Sequence, residues 1–218
     1  MFQYCRDVTS EQAPDPAPPS DRLGAALRAL NDLVVRAGAD TDEIAAAADA
    51  VEALVARVAA APTSHRVHDS PYHPMSLVGG SAHPVAPQLH TTPTDSGVAG
   101  TVVLGPAYEG GPGLVHGGVL SLLFDHAMGQ ALFTAGYSAM TVSLAVRYRA
   151  PTPLDTPLTV SAGLDRVEGR KLFVAARVTV GGRVSAEAQG VFIQLTAANV
   201  AQIFPPGRVP TDPPPGAG

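Results

Sequence analysis

Cysteine is almost absent from this chain: Cys5 is the only one, which excludes an intramolecular disulfide and any cysteine-built metal site and agrees with a reducing compartment. Positive charge is also short. The formal net charge is −5, so there is no electrostatic footprint for nucleic acid, and Lys171 is the only lysine beside an arginine-dominated set of cations. No apolar run approaches the ~20 residues a membrane span requires, and the start Met-Phe-Gln-Tyr-Cys-Arg-Asp lacks a basic-then-apolar leader pattern. The expectation is a cytoplasmic protein without a membrane span. Its 45% hydrophobic and 15% charged residues describe a globular chain.

What is present is concentrated between Tyr108 and Asp125. The stretch Tyr108-Glu-Gly-Gly-Pro-Gly-Leu-Val-His116-Gly117-Gly118-Val-Leu-Ser-Leu-Leu-Phe-Asp125 is a glycine-rich loop opening into an apolar helix that carries one carboxylate. Gly117 and Gly118 let a ligand approach the backbone closely where the helix begins. The first helical N–H groups have no intrahelical partner and stabilise negative charge on a bound oxygen. No Gly-Lys-Ser/Thr and no Gly-x-Gly-x-x-Gly occurs here, so a polarised carbonyl is the better ligand than a phosphate. Val119, Leu120, Leu122, Leu123, Ala127, Met128, Ala131 and Leu132 make the helix apolar over most of its circumference. Asp125 is therefore expensive unless it is hydrogen-bonded or functional; the plain alternative is a core aspartate capping a neighbouring loop.

The chain ahead of this motif divides by composition. Residues 1–19 form a proline-rich lead. Residues 20–62 form a helical hairpin, with Ser20 as cap, Leu23, Leu27, Leu30 and Val34 on one arm, and Ile44, Ala48, Val51, Leu54, Val55 and Val58 on the other. The arms break at Gly38–Asp40, and Pro62 ends the second. The hairpin is expected to cover the core or a partner subunit. Residues 63–84 form a loop, and 197–218 a Pro/Gly-rich tail. His65, His68, His73, His83 and His90 are scattered among prolines without zinc-site spacing, so no metal is expected.

The intervening region, residues 85–196, is expected to hold strands near 85–92 and 98–104. Beyond the helix it should hold an antiparallel meander of four more, at 139–150, 157–168, 171–180 and 183–195, with turns at Glu168-Gly169 and Gly181-Gly182. In the first of these four, Val142, Leu144, Val146 and Tyr148 alternate with Thr141, Ser143, Ala145 and Arg147, giving one apolar face for the helix.

His-Gly-Gly followed by Asp125 on a long apolar helix resembles the hotdog-fold acyl-CoA thioesterases. The segments Met140-Thr141, Arg147–Leu154, Val167–Val174 and Ala186–Ile193 are similar to the branch containing thioesterase superfamily member 4. The resemblance covers roughly residues 85–196, in chain order, and leaves the first 80 outside. It implies an α+β hotdog fold, a long central helix wrapped by a curved antiparallel sheet, and hydrolysis of acyl-CoA to free acid and CoA without a cofactor. It also implies a homodimer or dimer of dimers with sites shared across the subunit interface.

Geometry agrees with sharing. Gly117 and Asp125 lie eight residues apart, about 12 Å along a helix axis, so one carbonyl cannot touch both unless a two-fold partner supplies the second. The Gly117 amide is then the oxyanion donor and Asp125 the general base or nucleophile. Thr141 matches the branch's hydroxyl that assists the carboxylate. His116 orients the loop or the thioester. Gly118 serves helix packing or gives a second amide, and Arg147, Arg149, Arg170 and Lys171 are candidates for the coenzyme A phosphates. One departure stands out: many relatives carry a side-chain amide six residues before the histidine, where this chain has Gly110. A non-catalytic acyl-CoA-binding protein is the competing reading, and hotdog hydratases are a third, with a different Asp/His arrangement.

Overall fold

The computed structural model describes residues 17–38, 40–61 and 73–196. Cys5, Pro62, His65, His68, most of the proline-rich lead and the tail lie outside them. Two helices come first, α1 (Pro19–Arg36) and α2 (Thr41–Ala59), followed by strands β1 (His90–Thr94) and β2 (Gly97–Val103) and a 3-10 turn at Pro106–Tyr108. The central helix α3 (Gly117–Thr134) precedes β3 (Ala139–Tyr148), β4 (Pro157–Glu168), β5 (Lys171–Val180) and β6 (Arg183–Gln194). No described helix is long and apolar enough to cross a membrane.

The six strands form one antiparallel sheet in the order β1-β2-β4-β5-β6-β3, and α3 lies on its inner face, the α+β hotdog arrangement. Alternation builds the core. Leu158, Val160 and Ala162 of β4, Leu172, Val174, Ala176 and Val178 of β5, and Ala186, Ala188 and Phe192 of β6 are buried beneath Leu120, Leu123, Phe124, Ala127, Met128 and Ala131 of α3. Each large side chain sealed this way contributes about 1.5–3 kcal/mol. Gly190 sets how close the helix comes, because a Cβ there would stand 2.6 Å from Met128 Sδ.

The bounds of the last four strands match the sequence reading to within two residues, and positive φ at Gly169, Gly181 and Gly182 makes the expected turns. The meander is corrected. Only β4, β5 and β6 run as consecutive neighbours, while β3 pairs with β6 at the far edge. The segment between β3 and β4 contains Pro151 and Pro153 and is tied elsewhere: Val115 N–H donates to Thr152 O, Leu154 N–H to Gly113 O and Asp155 N–H to Leu104 O. It carries the chain across to β2 and forms no hairpin. The first strand also starts later than expected, at His90, because Pro84 and Pro87 remove ladder donors and Gln88 takes a positive φ.

In the hairpin, Pro18 and not Ser20 occupies the N-cap of α1, with Pro19 opening the helix. Asp40 caps α2 by accepting the Glu43 N–H. α1 docks through polar and backbone contacts. Gly24 is its one buried residue, pressed on Ala82, and Arg28 donates to Ser81 O and His83 O. No residue of α2 is fully buried. Its apolar stripe lines a hollow shared with Val85, Val103 and Tyr108, so within one chain this arm does not seal the core.

Candidate active site

The loop before α3 is a miniature hairpin that delivers a prepared helix start. His116 N–H donates to Tyr108 O and Gly110 N–H to Leu114 O, both at 2.9 Å, and Gly113 N–H donates to Glu109 Oε1 at 2.5 Å. His116 then takes the N-cap position, and its Nδ1 accepts the Gly118 N–H at 2.9 Å. That bond requires an unprotonated Nδ1, leaving the neutral ring's proton on Nε2. Val119 and Leu120 N–H groups both go to His116 O. Among the described residues, the Gly117 N–H has no acceptor. Of the two glycine amides singled out in the sequence, Gly118 is thus engaged and Gly117 free.

Gly110 also has a physical reason. A Cβ there would lie 2.8 Å from His116 Cα and 3.1 Å from its Cβ, so the cap occupies the space that a side chain at position 110 would need.

Two residues beside Gly117 escaped the sequence reading. The Tyr148 hydroxyl donates to Gly117 O at 2.9 Å, Ser121 Oγ donates to the same oxygen at 3.1 Å, and the two hydroxyls are 3.3 Å apart. A Cβ on Gly117 would meet Tyr148 Oη at 3.0 Å. The available signal was Tyr148's place on the helix-facing register of β3, at the end nearest the loop.

Further along α3, Asp125 is half-buried, and Thr141 Oγ1 donates to its Oδ1 at 2.7 Å. The carboxylate is neither sealed in the core nor capping a loop. Asp125 and Thr141 are brought together; Gly117 stands a further two turns along the helix, beyond their reach in one chain. Two hollows lie elsewhere, one against α1 and α2 and the other on the outer face of the sheet, and neither is lined by Gly117, Asp125 or Thr141.

The four basic candidates do not form one cluster within a chain. Arg147 and Arg149 sit at the Tyr148 end of β3. Arg147 is in register with Glu187 on the face away from α3, and Arg149 forms an ion pair with Glu187 whose hydrogen bond holds that carboxyl below the usual carboxylate range. Arg170 and Lys171 are in the β4–β5 turn toward the Met140 end, where both Lys171 and Met140 oppose Ile193; Arg170 donates to Gln194 O at 3.2 Å.

On the opposite flank of α3, His126 and Gln130 line a small cavity of about 200 Å³ with His90 and Gly79. Burial pushes the His126 pKa below its ordinary 6.5, Asp125 opposes that shift, and His90 adds to it. Among the described residues, no group of three or more His, Cys, Asp or Glu is placed to hold a metal ion.

Comparison with known proteins agrees with this architecture. The crystal structure of a thioesterase superfamily protein, 32% identical, matches with a TM-score of 0.74 over 82% of this chain and 96% of its own. The chain belongs to the thioesterase superfamily. The family model described as Thioesterase superfamily matches residues 112–187, from the glycine loop through Glu187. Curated superfamily relatives include acyl-coenzyme A thioesterase THEM4 of Bos taurus, 37% identical, and acyl-coenzyme A thioesterase THEM5 of Homo sapiens, 34% identical. Each aligns over 93 residues, 42% of this chain and 38% of the relative, so the chain spans well under half the length of these relatives. The 82% match to the superfamily crystal structure is more than residues 81–218 could supply, so that likeness reaches into the first 80 residues, beyond the region the sequence resemblance covered.

Proposed function

We propose that this protein hydrolyses acyl-CoA thioesters to a carboxylic acid and CoA, at sites that combine Gly117 of one subunit with Asp125 and Thr141 of a two-fold partner. The observation that carries the reading is the Asp125 carboxylate: half-buried on an apolar helix, bonded by a single hydroxyl at 2.7 Å, with Oδ2 free of any partner among the described residues. A buried-side carboxylate held by one donor keeps an oxygen for water or for a carbonyl carbon.

The thioester oxygen sits against the Gly117 N–H at the positive end of α3. Water adds to the carbonyl carbon as its proton passes to Asp125, and the carbonyl π pair moves to oxygen, where the Gly117 amide stabilises it. The pair returns as the C–S bond breaks, and the CoA thiolate leaves with the proton from Asp125. Direct attack by Asp125 starts from the same geometry, giving a mixed anhydride that water then opens. Thr141 holds the carboxylate in line, and His116 acts through its cap on the helix start.

Two features support the dimer. Gly117 and Asp125 are about 12 Å apart along one axis, and β3 is a sheet edge with Met140 at 42%, Val142 at 63% and Tyr148 at 56% exposure. Exposed apolar side chains on an edge strand invite an antiparallel copy. Such a two-fold sets the Tyr148 end of one β3 beside the Thr141 end of the other, so that Arg147 and Arg149 of one chain and Arg170 and Lys171 of the next flank one mouth for the coenzyme A phosphates.

The test is thiol release from a panel of acyl-CoA and aryl-CoA thioesters by wild type, Asp125→Ala and Gly117→Val, followed by subunit exchange between the two variants. Random exchange of an equal mixture yields one intact composite site in each heterodimer, about a quarter of the wild-type activity. No recovery after verified exchange contradicts the shared site, and tight acyl-CoA binding without thiol release assigns the protein to binding.

A further inference from the structure

We infer that Tyr148 is the second oxyanion donor of this site, supplying the hydrogen bond for which this chain has no side chain at Gly110; the inference rests on the proposed thioester hydrolysis. The cap excludes a side chain at position 110, since its Cβ would stand 2.8 Å from His116 Cα. A donor that strengthens the oxyanion must come from another element, and the Tyr148 hydroxyl lies over the Gly117 peptide with no side chain between them. Oη is 3.0 Å from the point where a Gly117 Cβ would be, which places the phenol against the residue whose amide has no partner among the described residues.

The hydroxyl is free to turn. It donates to Gly117 O at 2.9 Å, but that carbonyl also accepts from Ser121 Oγ at 3.1 Å and, as the first residue of the helix, from the Ser121 N–H. Releasing the Tyr148 proton toward a substrate therefore leaves no orphaned carbonyl. Ser121 Oγ keeps its own proton on Gly117 O, so the phenol proton can turn to the ligand without displacing it. Within one chain the ring is 56% exposed, so the core of its own subunit does not lock it. As the water oxygen bonds to the acyl carbon and the partner's Asp125 takes the water proton, the carbonyl electron pair collects on oxygen between Gly117 N–H and Tyr148 O–H. It returns when the C–S bond breaks. Tyr148 keeps its own proton throughout.

The experiment compares wild type, Tyr148→Phe and Ser121→Ala in steady-state thiol release from an acyl-CoA and from its thiono analogue, in which sulfur replaces the carbonyl oxygen. Oligomeric state and melting temperature are measured on each. Losing one oxyanion donor lowers kcat about 100-fold, with KM changed less than about twofold because the bond strengthens only in the transition state. The ratio of oxo to thiono rates falls in Tyr148→Phe, since sulfur accepts hydrogen bonds poorly and the variant has already lost one donor; in Ser121→Ala the ratio stays at the wild-type value. A folded Tyr148→Phe with kcat within a few-fold of wild type overturns the inference, and so does a kcat loss with an unaltered oxo/thiono ratio, which would make Tyr148 a positioning residue. If Tyr148→Phe fails to fold, 3-fluorotyrosine at position 148 keeps the shape with a stronger donor; a raised kcat supports the role and an unchanged kcat removes it. Thiol release that is abolished by Asp125→Ala but indifferent to Tyr148→Phe sinks this inference alone, whereas wild type without thiol release sinks the hydrolytic reading as well.

Discussion

The Thr141 hydroxyl donates to the Asp125 carboxylate across 2.7 Å, although uninterrupted alternation along β3 would turn Thr141 away from the helix. The sheet register explains the contact. Thr141 opposes Phe192, Ser143 opposes Val191, and Val142 is the extra residue of a bulge. An inserted residue reverses the parity of the strand, so Thr141 on one side of it and Leu144, Val146 and Tyr148 on the other all face α3. Val142, expected on that apolar face, is 63% exposed.

Thr141→Val removes that hydroxyl at nearly constant volume. Losing a hydrogen bond to a charged group is worth about 1.5–3 kcal/mol, so kcat for thiol release falls tenfold or more while Thr141→Ser stays near wild type. Asp125→Asn falls further, by about 10²–10⁴-fold, the usual contribution of a general base. Steady-state assays of the three variants check the ranking; a Thr141→Val enzyme as fast as wild type would contradict the coupling.

Deleting Val142 removes the bulge. Thr141 and Ser143 then follow each other opposite Phe192 and Val191, so Thr141 still faces α3 and activity stays within a few-fold of wild type, while circular dichroism still reports the folded sheet. A deletion variant that falls to the Thr141→Val level shows that this register alone does not aim Thr141 at Asp125.

Gly110→Asn offers a side-chain amide six residues before His116, yet it does not raise activity here. Its Cβ meets the His116 backbone at 2.8 Å, and neither partner is a flexible side-chain tip. Overpacking of this kind costs about 1–3 kcal/mol, read as a lower melting temperature together with slower turnover. A gain in kcat would show that the cap yields.

Acid destabilises the fold through His126. Burial holds its folded pKa below the ordinary 6.5, so the unfolded chain binds the proton first as pH falls. The associated stability is fully present above about 6.5 and is lost as pH drops through the folded value. Urea midpoints should decline between pH 7 and pH 5.5, and His126→Gln should flatten that slope. An equal slope in both proteins would assign the acid sensitivity to other groups.

How much of this was legible depended on distance along the chain. The helix start at Gly117, the edges of β4, β5 and β6 and the glycine turns at 169 and 181–182 were readable, because capping, alternation and positive φ are decided within a few residues. So were Asp125 as a costly carboxylate on an apolar helix and the resemblance that paired it with Thr141. Local rules failed at Ser20, where Pro19 fits the first helical turn better than a capping hydroxyl requires, and at α2, whose apolar stripe reads as a packing face yet is not buried in one chain. Strand periodicity misplaced β3, because its pairing with β6 depends on where the 149–156 segment is tied rather than on its own residues.

The sequence by itself determined which segments become helix and strand and which carboxylate stands where an apolar residue belongs, since backbone torsion and side-chain period are local properties. Only the tertiary structure decided that no other described residue takes the Gly117 amide, that a bulge at Val142 turns Thr141 onto Asp125, and that Tyr148 reaches the helix start from 31 residues away. Those outcomes depend on which backbone groups already have partners and on the register between distant strands, and neither quantity exists until the sheet has closed around the helix.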